Sequence, residues 1–522
     1  MGKIVKSLRK KLRKLLVRTK LSSSFVPVAH ADSEPVTIDH IHEHKVTFSI
    51  LPDDVLLQIF DFCRVGHNPL GSPFHPVLEW RRLVHVCQRW RQIMFSSPRR
   101  LDLYLLCTCG TPVRRNLGFW PAFPILIDYV SYPNYGGNIF SSTDEDNIIA
   151  ALEHPDRVRC LKLPVTGLLL GKVAAVAQEP LPILTQLWLS SDDENILALP
   201  GAFLGQFAPC LQEIQLEGIP YPTLPALLSS STNLVILHLH RIPHSGYIPP
   251  EVMVASLATL IRLSDLSLEF QSSTSRPDPG GRRRAAPQTR AVLPALTSFE
   301  FRGASEYLED IVAQIDAPRL SSIRIAYFNQ LVFQVPQLCR FVAQTQVLEL
   351  ARFKHAQVNF RGSHVYISLY SEQVESRRSH LALRISSQGL DWQVSQLTEV
   401  LGQSSAVLSD VGHLSIGAYD LQPSWQDDMD HSEWLELFRQ FAAVETLRVS
   451  AQLAGHVGDA LKDVTIDVVP EILPALRLLC LEDEPLRRVE EFVNTRQLSG
   501  LPVAIANAPE EFLRRRGSHL WG

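Results

Sequence analysis

From residue 158 onward one short pattern recurs: an apolar residue, two others, then two apolar residues separated by one that is polar. It reads Val158-Leu161-Leu163, Leu184-Leu187-Leu189, Leu211-Ile214-Leu216, Leu234-Leu237-Leu239, Leu263-Leu266-Leu268, Leu296-Phe299-Phe301 and Leu320-Ile323-Ile325. Fainter copies follow at Thr345-Leu348-Leu350, Val411-Leu414-Ile416, Val444-Leu447-Val449 and Leu476-Leu479-Leu481. Successive starts among the first eight differ by 26, 27, 23, 29, 33, 24 and 25 residues. The last two apolar residues of each copy lie two apart, so on a strand they point to one face. Between copies lie helix- or turn-forming pieces such as VAAVAQEP, LPALLSSST and YLEDIVAQIDAP. One such unit cannot bury its own apolar face, so the units must stack.

The period is close to that of leucine-rich repeats, and the resemblance implies an irregular leucine-rich-repeat-like α/β solenoid over 101–515. Proline often stands before the motif (LPILTQL, APCLQEI, LPALTSF, APRLSSI, LPALRLL) and would end the preceding helix. No asparagine holds the turn position that regular repeats use, and between about 351 and 410 the period fails. A loop spanning 271–292 separates two repeats. Its RPDPGGRRRAAPQTR stretch (276–290) reads either as a bare insertion or as an arm that clamps an acidic or phosphorylated partner.

If the leucines point inward, the residues between them point out on a concave face. They include Trp188, Glu213, Gln215, His238, His240, Glu269, Arg302 and Arg324, a mixed and partly acidic row with one tryptophan. This is the expected target-binding surface.

No catalytic signature accompanies it. GLLLGKV (167–173) has three residues between its glycines, and Val173 stands where a phosphate loop needs Ser or Thr. HExxH and GxSxG are absent. Cys107 and Cys109 form an isolated CxC, far short of four metal ligands, and none of the eight cysteines forms a CxxC pair. They read as buried, reduced thiols of an intracellular protein, cytoplasmic or nuclear. No cofactor, metal or catalytic residue is expected.

The ends of the chain differ from its body. MGKIVKSLRKKLRKLLVRTK carries nine Lys/Arg and no acid, so the other 502 residues hold −13 of the net −4. A mildly acidic body argues against a general nucleic-acid binder. In the arm, Ile4, Leu8, Leu12, Leu15 and Leu16 share one helical stripe. It suits a membrane anchor, a nuclear-import patch, a mitochondrial transit peptide or a solvated tail. Position 6 is Lys6 and the serine is Ser7, one place off a myristoylation pattern. Residues 1–45 read as arm and linker, with His40, His42 and His44 alternating but lacking fixed partners for a metal.

Residues 46–100 have a third texture. Pro52 suits the first position of a helix, and Asp53 and Asp54 suit its positive end. Val55, Leu56, Ile59, Phe60 and Cys63 follow helical spacing. After turn-forming RVGHNPLGSPFHP, a second helix carries Trp80, Leu83, Val84, Cys87 and Trp90 on one stripe. Fifty residues of short amphipathic helix are marginal alone.

In order, LPDDVLLQIF…WRRLVHVCQRWRQIM resembles an F-box over about 48–98, of the kind that precedes irregular repeats in the large F-box families of fungi and plants. The loop between the halves is longer than usual, and Asp53 stands where the family has Glu. The resemblance implies a small all-helical F-box that docks on a Skp-type adaptor and through it on a cullin–RING ubiquitin ligase. The matching positions are Leu51, Pro52, Val55, Leu56, Ile59, Phe60, Leu83, Val86, Cys87, Trp90 and Arg91. For some of them, Trp90 especially, the alternative is burial against this protein's own following domain. The function so implied is substrate recognition for ubiquitination; the alternative is a non-ligase scaffold located by the basic arm, with membrane contact through that arm.

Overall fold

The computed structural model describes residues 51–64, 83–98, 100–130, 140–194, 196–272, 290–345, 352–371, 380–419, 431–462, 464–465, 468–469, 471–481 and 489–507. The basic arm and linker, residues 273–289 of the loop between repeats, and Leu348 and Leu350 of the fainter motif lie outside them. The chain divides into two compact units, Met1–Ile59 and Phe60–Gly522. The helix Asp53–Arg64 begins in the first, with Asp53 and Asp54 in its first turn. Pro52 sits just before it, its carbonyl accepting the Leu56 N–H at 3.1 Å.

The strands of the second unit, in chain order, are β1 Leu105–Cys107, β2 Ile125–Asp128, β3 Val158–Pro164, β4 Gln186–Ser190, β5 Glu213–Glu217, β6 Ile236–Ile242, β7 Asp265–Phe270, β8 Ala291–Val292 and β9 Ser298–Gly303. They continue as β10 Ile315–Asp316, β11 Ser322–Tyr327, β12 His355–Arg361, β13 His364–Tyr370, β14 Leu381–Ser386, β15 His413–Ala418, β16 Thr446–Val449, β17 Leu478–Leu481 and β18 Ala504–Asn507. Sixteen of them form one sheet, ordered β1-β2-β3-β4-β5-β6-β7-β9-β11-β14-β13-β12-β15-β16-β17-β18; β8 pairs with β10 apart from it. Helices such as Gly167–Val176, Leu224–Ser230, Ser305–Val312 and Ala451–Lys462 connect the strands. This is a leucine-rich-repeat-like α/β arrangement with a long, mostly parallel sheet.

Register explains why the apolar pattern is strict. Leu161, Leu187, Ile214, Leu237, Leu266, Phe299 and Ile323 stand side by side across β3 to β11. Leu163, Leu189, Leu216, Leu239, Leu268, Phe301 and Ile325 form the next row, and all are buried. Each such side chain contributes about 1.5–3 kcal/mol relative to exposure. From β4 to β11 the first apolar residue of each motif makes a turn instead: Leu184, Leu211, Leu234, Leu263, Leu296 and Leu320 donate their N–H to the carbonyl three residues earlier, at 3.0–3.2 Å.

The next residue ties the repeat to its predecessor. The N–H groups of Thr185, Gln212, Val235, Ser264, Thr297 and Ser321 reach carbonyls of Arg159, Thr185, Gln212, Val235, Ser264 and Thr297 at 2.8–3.0 Å. Where this residue bears a hydroxyl, the side chain donates to the same carbonyl: Thr185 to Arg159 (3.0 Å), Ser264 to Val235 (3.2 Å), Thr297 to Ser264 (3.0 Å) and Ser321 to Thr297 (3.1 Å). This hydroxyl ladder stands at the entry to these strands, away from the turn position after the strand where regular repeats carry asparagine.

The period fails over 351–410 because three strands there run as a meander. β12 and β13 join through the two-residue loop Gly362–Ser363, with Arg361 opposite His364, and β13 lies antiparallel to β14. Yet β14 is parallel to β11 and β12 is parallel to β15. Val358, Phe360, Val365, Ile367, Leu383 and Ile385 fill the core below. Trp434, on the helix His431–Arg439, is fully buried beneath them, its ring 5.5 Å from that of Phe360.

Near the C-terminal end, Arg496 on the helix Glu490–Leu498 is fully buried and donates only to backbone carbonyls. Its Nε reaches Leu501 (3.1 Å), Nη1 reaches Ile472 (3.3 Å) and Leu473 (3.2 Å), and Nη2 reaches Pro474 (3.3 Å) and Leu476 (3.1 Å). A planar fork of five donors fits such a cluster, and a lysine with three does not.

Two stability predictions follow from these contacts. Trp434→Ala lowers the unfolding free energy by about 3–5 kcal/mol, read by urea denaturation. Arg496→Ala lowers it by at least about 3 kcal/mol, and Arg496→Lys recovers only part of the loss, because both strand carbonyls without donors.

Candidate binding face of the sheet

Each strand that buries its leucines turns the alternate residues to the opposite face. In β4 and β5 half-buried positions alternate with buried ones along the whole strand. One row across this outer face is Lys162, Trp188, Gln215, His238, Ser267, Glu300 and Arg324. A second holds Ser190, Glu217 and His240, followed by Glu269 in register with Arg302. All eight residues expected to meet a target therefore share one face.

Most of them are engaged with one another. Lys162 Nζ lies 5.8 Å from the Trp188 ring centroid. Glu213 accepts from Gln186 (2.8 Å) and Gln215 (2.7 Å). His238 pairs with Asp265 at 3.3 Å, His240 with Glu269 at 3.2 Å, and Arg324 with Glu300 at 2.8 Å. Arg302 lies 5.8 Å from the Phe328 ring. Sequence spacing missed Arg241, whose φ of 51° marks a register shift between Leu239 and Ile242. The shift lets its guanidinium reach Asp192 (2.9 Å), Glu217 (3.2 Å) and the Ser191 carbonyl (2.8 Å). Gly218 makes room there: its φ is 67°, and a Cβ would meet the Ser191 oxygen at 2.4 Å.

These pairs set the titration of the face. Burial alone would lower the pKa of His240, but the hydrogen bond and charge of Glu269, with Glu300 and Glu217 behind it, raise it above the ordinary value. Burial would raise Glu269, and His240, Arg302 and His238 overcome that and lower it. Asp265 is likewise lowered, against its burial, by His238, Ser298 and Arg324.

The remaining sequence features resolve into structural roles. Gly167–Val176 is a repeat helix capped by Thr166, and the Gly167 N–H donates to the Asp193 carboxylate at 2.7 Å, where a phosphate loop would hold phosphate. Cys107 is fully buried beside the Tyr129 hydroxyl (3.7 Å), and burial pushes its thiol up to about 12. Among the described residues no three His, Cys, Asp or Glu are grouped to hold a metal.

Of the eleven positions in the two front helices, Leu56, Ile59, Phe60, Leu83 and Trp90 are buried, Leu51 and Val55 are half-buried, and Pro52, Val86, Cys87 and Arg91 are exposed. The rings of Phe60 and Trp90 meet edge-on at 4.8 Å. Cys87 caps the helix Gln88–Ser96 by accepting the Trp90 N–H at 3.5 Å, and Arg91 Nε donates to the Val84 carbonyl at 3.1 Å. Phe95 on that helix stands against Trp120 (5.7 Å) and Phe123 (5.6 Å) at the start of the repeats.

No protein-family model matches the sequence, and no curated protein matches it. Solved structures that overlap it in part include two leucine-rich-repeat or internalin proteins. One is the leucine-rich repeat-containing protein LegL7 from Legionella pneumophila, at 12% identity and a TM-score of 0.25, covering 65% of this chain and 96% of that one. The other is an internalin (InlF) from Listeria monocytogenes, at 12% identity and a TM-score of 0.24, covering 70% of this chain and 95% of that one. Among the described residues no helix is long and apolar enough to cross a membrane.

The His240–Glu269 pair carries a pH signature. A raised folded-state histidine pKa stabilises fully below the unfolded value of about 6.5, and the gain is lost as pH rises through the folded value. A lowered glutamate pKa stabilises above about 4.3, and that gain is lost as pH falls through the folded value. Wild type therefore loses more stability than His240→Gln between pH of about 5.5 and 9, measured by paired urea titrations.

Proposed function

We propose that the chain is the substrate-recognition subunit of a Skp–cullin–F-box ubiquitin ligase. The observation that carries the reading is the register of Leu51-Pro52, Ile59-Phe60 and Val86-Cys87-x-x-Trp90-Arg91, placed directly ahead of a repeat array. The front helices dock on the Skp-type adaptor, and the outer face of the sheet holds the target. The subunit is non-catalytic. It acts by proximity, raising the effective concentration of target lysines near a charged ubiquitin-conjugating enzyme. It works in the cytoplasm or nucleus. The second reading is a non-ligase scaffold, favoured by the nine basic residues of 1–20, which would place it at a membrane, nucleus or mitochondrion.

Burial decides which residues test the adaptor. Leu56, Ile59 and Trp90 are buried, so charges there unfold the helices whatever their function. Val86 is 46% exposed and Pro52 is exposed, so both are free to report on docking. In pull-downs from cells expressing the full chain and a Skp-type adaptor, Pro52→Glu with Val86→Glu should cut adaptor recovery at least about tenfold, the weight of 1.4 kcal/mol, at unchanged melting temperature. Equal recovery by the variant would remove the docking face assigned here. No recovery by the unsubstituted chain would leave the scaffold reading.

A further inference from the structure

One stretch of the second unit leaves a group of large apolar side chains in solvent. Leu331, Val332 and Trp392 are 86%, 58% and 55% exposed. Exposed apolar residues such as Ile261, Val292 and Leu498 sit on separate elements, which is ordinary for a protein surface. These three lie together. The chain leaves β11 at Tyr327 and runs through residues 328–335 against the helix Leu390–Gly402. Gln396 Nε2 on that helix donates to Asn329 Oδ1 and to the Gln330 carbonyl, both at 3.2 Å. Trp392 stands one turn before Gln396, about 6 Å along the axis.

The loop is firmly held for one that ends in open apolar side chains. Glu399 accepts the Phe333 N–H at 3.0 Å, and Gln403 accepts the Val335 N–H at 3.0 Å and donates to the Phe333 carbonyl at 2.7 Å. Positions 396, 399 and 403 share one side of the helix, so three side chains strap the loop along it. Phe333 and Val335 turn into the core, while Leu331 and Val332 stay outside on a fixed backbone. Gln393, also buried, donates to the carbonyls of Arg361 (2.7 Å) and Ser387 (2.8 Å) and so fixes the helix turn that carries Trp392. A surface set in place beforehand loses little freedom when a partner covers it.

The same surface continues onto the outer face of the sheet and gains a charge there. Phe328, two residues beyond Ala326, is half-buried, and its N–H meets the Gly303 carbonyl of β9 at 3.1 Å. Its ring lies 5.8 Å from the Arg302 guanidinium. Arg302 is exposed, and among the described residues no carboxylate makes an ion pair with it. Glu269, in register with it, is held by His240 at 3.2 Å, and Glu300 by Arg324 at 2.8 Å.

We propose that this surface docks a segment of a partner protein in which two apolar side chains stand close to an acidic one. The apolar pair covers Trp392 and Leu331, with Val332 at the rim, and the carboxylate meets the Arg302 guanidinium over Phe328 in the two-pronged geometry that suits both groups. About six extended residues, at about 3.3 Å each, span it. Tryptophan and arginine are among the side chains that most often dominate such contacts. The inference rests on the reading of the repeats as the target-holding part and names the chemistry of the segment they hold; the front helices take no part in it.

The test pans a phage-displayed library of random peptides of about twelve residues on the full chain. Recovered peptides carry two apolar residues within about five positions of an Asp or Glu. Their affinity, read by fluorescence polarisation of the labelled peptide, falls about tenfold or more in Trp392→Ser and in Leu331→Ser, at unchanged melting temperature because both side chains are exposed. Arg302→Gln weakens the acidic peptide and leaves unchanged the binding of its amide analogue, in which Asp or Glu is replaced by Asn or Gln. Ile261→Ser, an exposed apolar residue on another element, leaves the affinity unchanged. No recovered peptide, or peptides that bind the Trp392 and Leu331 variants as tightly as the unsubstituted chain, overturn the docking surface. An Arg302→Gln effect that is the same for the acidic peptide and its amide analogue overturns the charge pairing. Adaptor recovery by the Pro52→Glu, Val86→Glu chain reads the front helices alone, so a failure there and a failure here are told apart.

Discussion

Everything in the second unit hangs on the backbone ladder that joins each repeat to the one before it. The residue after the first leucine of each motif sends its N–H to the preceding repeat, and the strand that follows inherits its register from that bond. Register in turn decides which side chains face the core, because a one-residue slip would turn every leucine outward. The turn donated by the leading leucine, the cross-repeat bond and the buried pair behind it act as one device, repeated from β4 to β11. Hydroxyls at 185, 264, 297 and 321 reinforce it with a second donor to the same carbonyl.

The two faces of the sheet use opposite chemistry. The core face is apolar across the repeat strands, built of leucine, isoleucine and phenylalanine. The outer face mixes signs, and over the repeat strands His238, His240, Arg241 and Arg324 each settle against a neighbouring acid. Arg324 against Glu300 is the clearest of these pairs.

The repeat strands were legible because a two-residue alternation inside a period of about 25 survives in sequence even when individual leucines change to isoleucine or phenylalanine. The outward residues followed from the same alternation. Their pairing did not, since His238 meets Asp265 only through a register set by bonds between strands. The meander was invisible to the period, although HAQVNFRGSHVYISLY alternates and turns at Gly362–Ser363. Its strands pair with each other, so no 25-residue recurrence marks them. β1, β2 and β18 also escaped, lacking the leading leucine. In the front helices, spacing gave the apolar stripe but not its division between buried Leu56 and exposed Val86.

The meander also states a rule about parity. Antiparallel neighbours alternate in direction, so an odd number of inserted strands returns the chain to the direction it left. With three, β14 meets β11 and β12 meets β15 as a parallel neighbour should, and the array resumes as if uninterrupted. Two or four would leave one flank facing an edge of the wrong polarity. An array of parallel repeats can therefore accept foreign strands as a cassette, provided they come in odd numbers, and such a cassette can change its outward residues without disturbing the repeats on either side.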